Sequence, residues 1–225
     1  MNKGSKLWYL ERFDLMRKLK MKDVKHLEKQ LTMKKIPKGE FLYFPQHAAH
    51  HVYFIKEGIV KIARYMDDGT EDIKFILGAG NILGELSMLN EDQGEDFAVA
   101  LDDCVICFID KGTMKELISE NQIFSAEIHK ILGLRIRKPE QRLESVLYKD
   151  ARTRILEYLD TFKEEFGKKE GDKIVVKNFL TQSDMARLTS TSRQTVATVF
   201  NQLREAGLID YDKEKFVFKN RKLIG

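Results

Sequence analysis

The chain has 225 residues, 43% hydrophobic and 33% charged, which describes a soluble globular protein long enough for two domains with separate cores. No stretch approaches the roughly 18 apolar residues of a membrane span, and the opening MNKGSKLWYLERFDLMRKLK lacks the apolar core and small-residue end of a secretory signal. Two cysteines exclude a disulfide framework, so a cytoplasmic protein is expected.

The net charge is +4, from 39 basic and 35 acidic residues. Of these, 16 basic and 12 acidic residues fall in positions 149–225, leaving 23 of each upstream. All of the surplus therefore lies in the last third, where a polyanion partner would meet it.

Residues 7–31 carry apolar side chains at helical spacing (Leu15, Leu19, Val24, Leu27, Leu31), which predicts one or two amphipathic helices. From Lys34 the pattern turns to short β-type runs: Glu40 to Phe44, Val52 to Lys56, Ile59 to Tyr65, Glu71 to Leu77, Phe97 to Leu101 and Cys104 to Ile109. Glycines between and at the ends of these runs supply turns. Short strands at this spacing, with no intervening helices, predict a small antiparallel barrel or sandwich. Within it, His47, His50 and His51 form a candidate metal or haem group, although FPQHAAHHV reads as a surface loop. Cys104 and Cys107 form a CxxC, but on a strand a spacing of three sends the two thiols to opposite faces, as suits buried structural cysteines.

A short helix is expected over 113–121, then a long one from about Ile123 to Tyr148. Leu132, Ile136, Pro139, Leu143 and Val146 follow one another at four, three, four and three residues, the rhythm of a coiled-coil seam. Pro139 in its interior predicts a kink or a break. Asp150 is placed to cap a helix over Ala151 to Phe166, and a polar turn precedes a strand at Ile174 to Lys177.

The stretch LTQSDMARLTSTSRQTVATVFNQLREAGLI reads as two helices around a tight turn. Thr181 caps the first with Asp184 in a variant capping box; Thr189 to Thr191 turn, Ser192 caps the second helix and Gly207 ends it. Met185, Leu188, Val196, Val199, Phe200 and Leu203 face a core. Arg193, Gln194, Thr195, Thr198 and Asn201 are left outside, with the cap Ser192 and, at the start of the first helix, Thr181 and Gln182. These are residues that suit base edges in a major groove, Arg toward guanine and Gln toward adenine. A two-stranded wing turning at Lys213 follows over Asp210 to Phe218, with Lys219, Arg221 and Lys222 available to phosphates.

The run PKGEFLYFP, then VYFIKEGIVKIARYMDDGTEDIKFILGAGNILGELSML, the long helix and the segment SRQTV together resemble the cyclic-AMP receptor protein/FNR (CRP/FNR) family of bacterial transcription regulators over nearly the whole chain. The resemblance implies an α+β fold: an N-terminal cyclic-nucleotide-binding-type antiparallel β-roll (1–121), a long dimerisation helix (122–148) and a C-terminal winged helix-turn-helix (149–225). It also implies a homodimer, a two-fold symmetric promoter site on double-stranded DNA, contact with RNA polymerase, and no enzymatic activity.

In the family, a Gly-Glu pair opens a short helix in the effector pocket, and an Arg with a Ser or Thr about ten residues later binds the cyclic phosphate. Here Gly84, Glu85, Leu86 and Ser87 supply the first half, but Glu95 and Asp96 stand where the Arg and the hydroxyl are expected. Carboxylates repel a phosphate and lack the guanidinium fork, so cyclic AMP is not expected to bind in the usual manner. Other departures are Gln46 and Ser190 where glycine is usual, and Gln194 where many members have Glu. The N-terminal iron–sulfur cysteine group of the oxygen-sensing branch is absent. Three readings follow: a regulator gated by another small molecule, lipid or redox state; a constitutive DNA binder with an inert roll; and, from a different class, a metal-dependent cupin-like enzyme using the histidines.

Overall fold

The computed structural model describes residues 20–44, 50–85, 95–219 and 222–223. The chain forms two compact units, Met1–Arg137 and Lys138–Gly225. Among the described residues, no helix is long and apolar enough to cross a membrane.

The first unit opens with α1 (Met21–Gln30), followed by β1 (Thr32–Ile36), β2 (Phe41–Tyr43), β3 (His51–Glu57), β4 (Ile59–Tyr65), β5 (Glu71–Gly78), β6 (Ile82–Leu83), β7 (Asp96–Ala100) and β8 (Cys104–Asp110). These strands pair antiparallel in two sheets, ordered β1-β8-β3-β6 and β2-β7-β4-β5. The expected helices from 7 to 19 lie outside the described residues.

Period-two alternation explains how one sheet serves two cores. On β3, Val52 and Phe54 point to a layer of helices, joined by Cys107 and Ile109 of β8. Their neighbours Tyr53, Ile55, Cys104 and Ile106 point the other way, against Tyr43, Val60, Ile62, Leu77, Ala98 and Ala100 of the second sheet. The helical layer is α1, through Val24, Leu27 and Leu31, with α2 (Lys111–Glu120) and the start of α3 (Gln122–Tyr148). Each fully buried aliphatic or aromatic side chain contributes about 1.5–3 kcal/mol. Asp110 starts α2 by accepting from the backbone of Gly112 at 2.7 Å.

The second unit contains the end of α3, then α4 (Ala151–Phe166), β9 (Lys168–Glu170), β10 (Lys173–Lys177), α5 (Gln182–Leu188), α6 (Arg193–Glu205), β11 (Ile209–Tyr211) and β12 (Lys215–Lys219). Its sheet runs β11-β12-β10-β9, antiparallel throughout. An aromatic core joins helices to wing: the Phe162 ring lies 5.2 Å from Phe179 and 5.8 Å from Phe216, and Phe200 lies 5.7 Å from Phe216. α3 runs through Pro139 without interruption. The boundary expected at residue 149 falls inside the second unit, and the division between units lies between Arg137 and Lys138.

Candidate nucleic-acid interface and effector pocket

α5 begins with a reciprocal cap. The Thr181 side chain accepts from the Asp184 amide at 3.1 Å, and the Asp184 carboxylate accepts from the Thr181 amide at 2.8 Å. After α5 the chain reverses at Ser190, whose φ of 51° lies in the left-handed region that glycine adopts without cost. Arg154 of α4 spans this reversal. Its Nε donates to the Thr189 carbonyl and its Nη2 to the Ser190 carbonyl, both at 2.9 Å, while Nη1 donates to the Lys149 carbonyl at 2.8 Å.

α6 is capped by Ser192, which accepts from the Thr195 amide at 3.0 Å. Val196, Val199, Phe200 and Leu203 are buried, and Met185 of α5 with them. Leu188 is half-buried. On the opposite side Arg193, Gln194, Thr198 and Asn201 are exposed and Thr195 is half-buried, while the α5 cap Thr181 is exposed and Gln182 half-buried. The Thr198 hydroxyl donates back to the Gln194 carbonyl at 3.0 Å. The arrangement is a polar face at a capped helix start, backed by an apolar seam. In the wing, Arg204 pairs with Asp210 at 3.2 Å and stacks 4.1 Å over the Tyr211 ring. Lys219 and Lys222 are exposed, and Arg221 lies outside the described residues.

Sequence reasoning missed the arginines behind this face. Arg142 of α3 donates to the Arg187 carbonyl at 2.6 Å, and Arg152 donates to Gln202. The acceptors of Arg142 and Arg154 are main-chain carbonyls, which leave no trace in a sequence.

In the roll, Gly84 has a φ of 84°, and a Cβ there would stand 2.5 Å from the His51 carbonyl oxygen. Glycine is therefore required. Glu85 is 5% exposed and its Oε1 lies 3.0 Å from Arg135 Nε on α3. The same guanidinium lies 4.8 Å over the Phe75 ring and donates to the Ile82 carbonyl at 2.5 Å. Asp96, on β7, is bound by the Lys74 ammonium at 2.6 Å. Glu95 is exposed in the preceding turn, and Leu86 and Ser87 lie outside the described residues. Tyr43 lies buried among these groups, and burial, then the Glu85 and Asp96 charges, pushes its phenol well above the ordinary range. The carboxylates of Glu85 and Asp96 thus have cationic partners from the chain itself.

Along α3, Ile136, Leu143 and Val146 are exposed at 62%, 60% and 41%, and Pro139 is exposed beside them. Leu132 instead is half-buried against its own unit's core. Leu134, Leu147 and Tyr148 add exposed apolar surface that the seam pattern did not mark.

Cys104 and Cys107 are buried, form no disulfide and are directed to different cores. Burial pushes the Cys104 thiol up. His51 stacks edge-on against Phe108 at 5.1 Å, His50 is exposed, and His47 lies outside the described residues. Among the described residues, no group of three or more His, Cys, Asp or Glu side chains is arranged to hold a metal ion.

Comparison with known proteins matches both units. The cyclic nucleotide-binding domain model matches residues 33–121, and the Crp-like helix-turn-helix domain model matches residues 153–223. A CRP-like cAMP-activated global transcriptional regulator of Mycobacterium tuberculosis is 27% identical over 183 residues, 81% of this chain and 82% of that protein. The anaerobic regulatory protein of Bacillus subtilis is 23% identical over 197 residues, 87% and 83% of the two chains. The solved structure of FixK2 from Bradyrhizobium japonicum shares the fold, with a TM-score of 0.73 at 15% identity over 85% of this chain and 93% of that one. The two domain models in this order, and relatives matched along most of their length, show that the chain belongs to the CRP/FNR family of DNA-binding transcription regulators, which are not enzymes.

Proposed function

We propose that the protein acts in the cytoplasm as a homodimer that reads a two-fold symmetric site on double-stranded DNA, with the first turns of α6 in the major groove, and that it contacts RNA polymerase at promoters. The observation carrying this reading is the exposed set Arg193, Gln194, Thr198 and Asn201 on a helix whose other face is buried. Arg offers two donors to guanine O6 and N7, and Gln offers a donor and an acceptor to adenine. The exposed apolar residues Ile136, Leu143 and Val146 supply the seam that pairs two copies. Promoter and polymerase contact follow from the relatives being transcription regulators.

The roll operates without cyclic AMP bound in the family's usual manner. Glu85 is committed to Arg135 and Asp96 to Lys74, so an entering phosphate meets carboxylates whose counter-charges are already engaged. A second reading, a constitutive DNA binder with an inert roll, is favoured by the same two ion pairs, because each carboxylate already has a cation from within the chain. No metal or haem enters either reading.

The test is selection of duplexes from a random pool with full-length protein, followed by fluorescence anisotropy with and without micromolar cyclic AMP. The expected outcome is enrichment of an inverted repeat, weaker binding when either half is scrambled, and no change on adding the nucleotide. Failure to enrich any sequence, or binding that requires the nucleotide, contradicts the proposal.

A further inference from the structure

α3 is continuous from Gln122 to Tyr148, yet the division between the units falls inside it, between Arg137 and Lys138. Pro139 stands just past that division. It has no N–H to give to the carbonyl of Arg135, four residues upstream, and its ring crowds that carbonyl. A weakened turn matters as a joint when the helix on either side is held by a different body.

That is the case here. Upstream, Phe124 and Ile128 are buried in the core of the first unit, and Ile131 and Leu132 pack on it. Arg135 adds its 3.0 Å pairing with Glu85 and its place over the Phe75 ring. Downstream, Lys138 pairs with Glu165 at 3.1 Å, Arg142 donates to the Arg187 carbonyl at 2.6 Å, and Ser145 donates to Glu157 at 3.2 Å. Lys149 pairs with the other oxygen of Glu157. The corner between α3 and α4 is itself cross-tied: Asp150 accepts from the Thr153 amide at 2.7 Å, and Arg154 holds the Lys149 carbonyl at 2.8 Å. The corner at 149–150 is therefore braced, whereas the turn at 135–139 lacks a main-chain bond.

We propose that the joint of this protein is Pro139, and that residues 138–225, including the last turns of α3, move as one body with the helix-turn-helix. The seam residues are then divided: Ile136 belongs to the roll's body, and Leu143 and Val146 belong to the body that carries α6. Arg135 sits at the joint twice over, since its carbonyl is the one that Pro139 cannot serve and its side chain holds Glu85 in the pocket. Whatever draws Glu85 away frees the residue at the bend. That the moving body presents α6 to DNA rests on the DNA-binding reading; the joint does not.

Residue-resolved hydrogen–deuterium exchange on full-length protein, wild type and Pro139→Ala, tests the joint directly. In the wild type the amides of 140–143 should exchange about tenfold or more faster than those of 145–148. Pro139→Ala restores the missing donor and should slow exchange at 140–143 on the order of 100-fold, the size of the interior-proline penalty. Equal protection of the two segments in wild type, or an exchange rate at 140–143 that Pro139→Ala leaves within about threefold, overturns the proposal. Amide exchange reads the joint without reference to DNA affinity, so a failure of the DNA-binding reading in the selection experiment is told apart from a failure of the joint.

Discussion

Arg154→Ala removes a side chain that touches no predicted base-reading position, yet it should weaken DNA recognition. Its three donors go to the carbonyls of Thr189, Ser190 and Lys149. The bond to Thr189 is partly buried and charge-assisted, which makes it worth about 1.5 kcal/mol. The other two carbonyls are exposed and rehydrate when the donor is lost, so they add only a few tenths of a kcal/mol each. The turn that loses its brace contains Ser190 at a φ of 51°, a conformation that costs an L-residue about 1–2 kcal/mol. The total is a loss of about 2 kcal/mol from the unit that carries α6, read as a lowered midpoint in urea unfolding. Specific DNA affinity should fall with it, because α5 and α6 no longer keep one mutual geometry. Arg154→Lys separates charge from fork: the ammonium keeps the charge but cannot reach three carbonyls at once, so it should lose nearly as much. If Arg154→Lys stays within about 0.5 kcal/mol of wild type in both unfolding and specific binding, the brace is not what orders the turn.

Arg193→Ala should cost about 1–3 kcal/mol of specific binding and relax preference at one base pair, measured by anisotropy on single-base variants of the selected site; unchanged affinity removes Arg193 from the reading face. Leu143→Glu, or Ile136→Glu, places charge in the exposed apolar seam and should shift sedimentation velocity from dimer to monomer. For Asp150, hydrogen bonds from the Thr153 backbone and side chain hold the carboxyl below its ordinary value. A depressed folded pKa contributes stability that is fully present above the unfolded carboxyl value of about 3.9 and is lost as pH falls through the folded one. Amide exchange at the start of α4 should therefore rise on acidification in that window. Asp150→Asn, a comparable cap without a titrating group, should lose the pH dependence and keep the helix.

The elements read most accurately from sequence are those with chemical signals at their ends. α4 and α5 begin where Asp150 and Thr181 place them, because a capping oxygen must sit beside the first free amides. β1 and β9 escape a sequence reading for the opposite reason. Thr32 to Ile36 buries only its last residue and Lys168 to Glu170 buries none, so neither edge strand shows alternation. At the proposed reading face, local spacing is enough, since one helix brings most of the residues together. The candidate effector pocket is half legible: the expectation that Glu95 and Asp96 do not suit a phosphate follows from charge type alone. That Lys74 and Arg135 neutralise Asp96 and Glu85 depends on partners 22 and 50 positions away and on α3 lying against the roll. Leu132 fits the heptad but is claimed by its own core, which periodicity cannot distinguish from a partner's.

The Glu85–Arg135 pair also constrains how this chain can drift. Both side chains are nearly enclosed, at 7% and 12% exposure. Losing either one strands the other's charge at about 3–5 kcal/mol, whereas replacing both with apolar residues of matched size is close to neutral. Single changes at these positions are thus closed to descendants that must stay folded, and the two sites are expected to vary together. A ligand that engaged Glu85 would have to offer it hydrogen-bond donors in place of Arg135, or leave the pair intact.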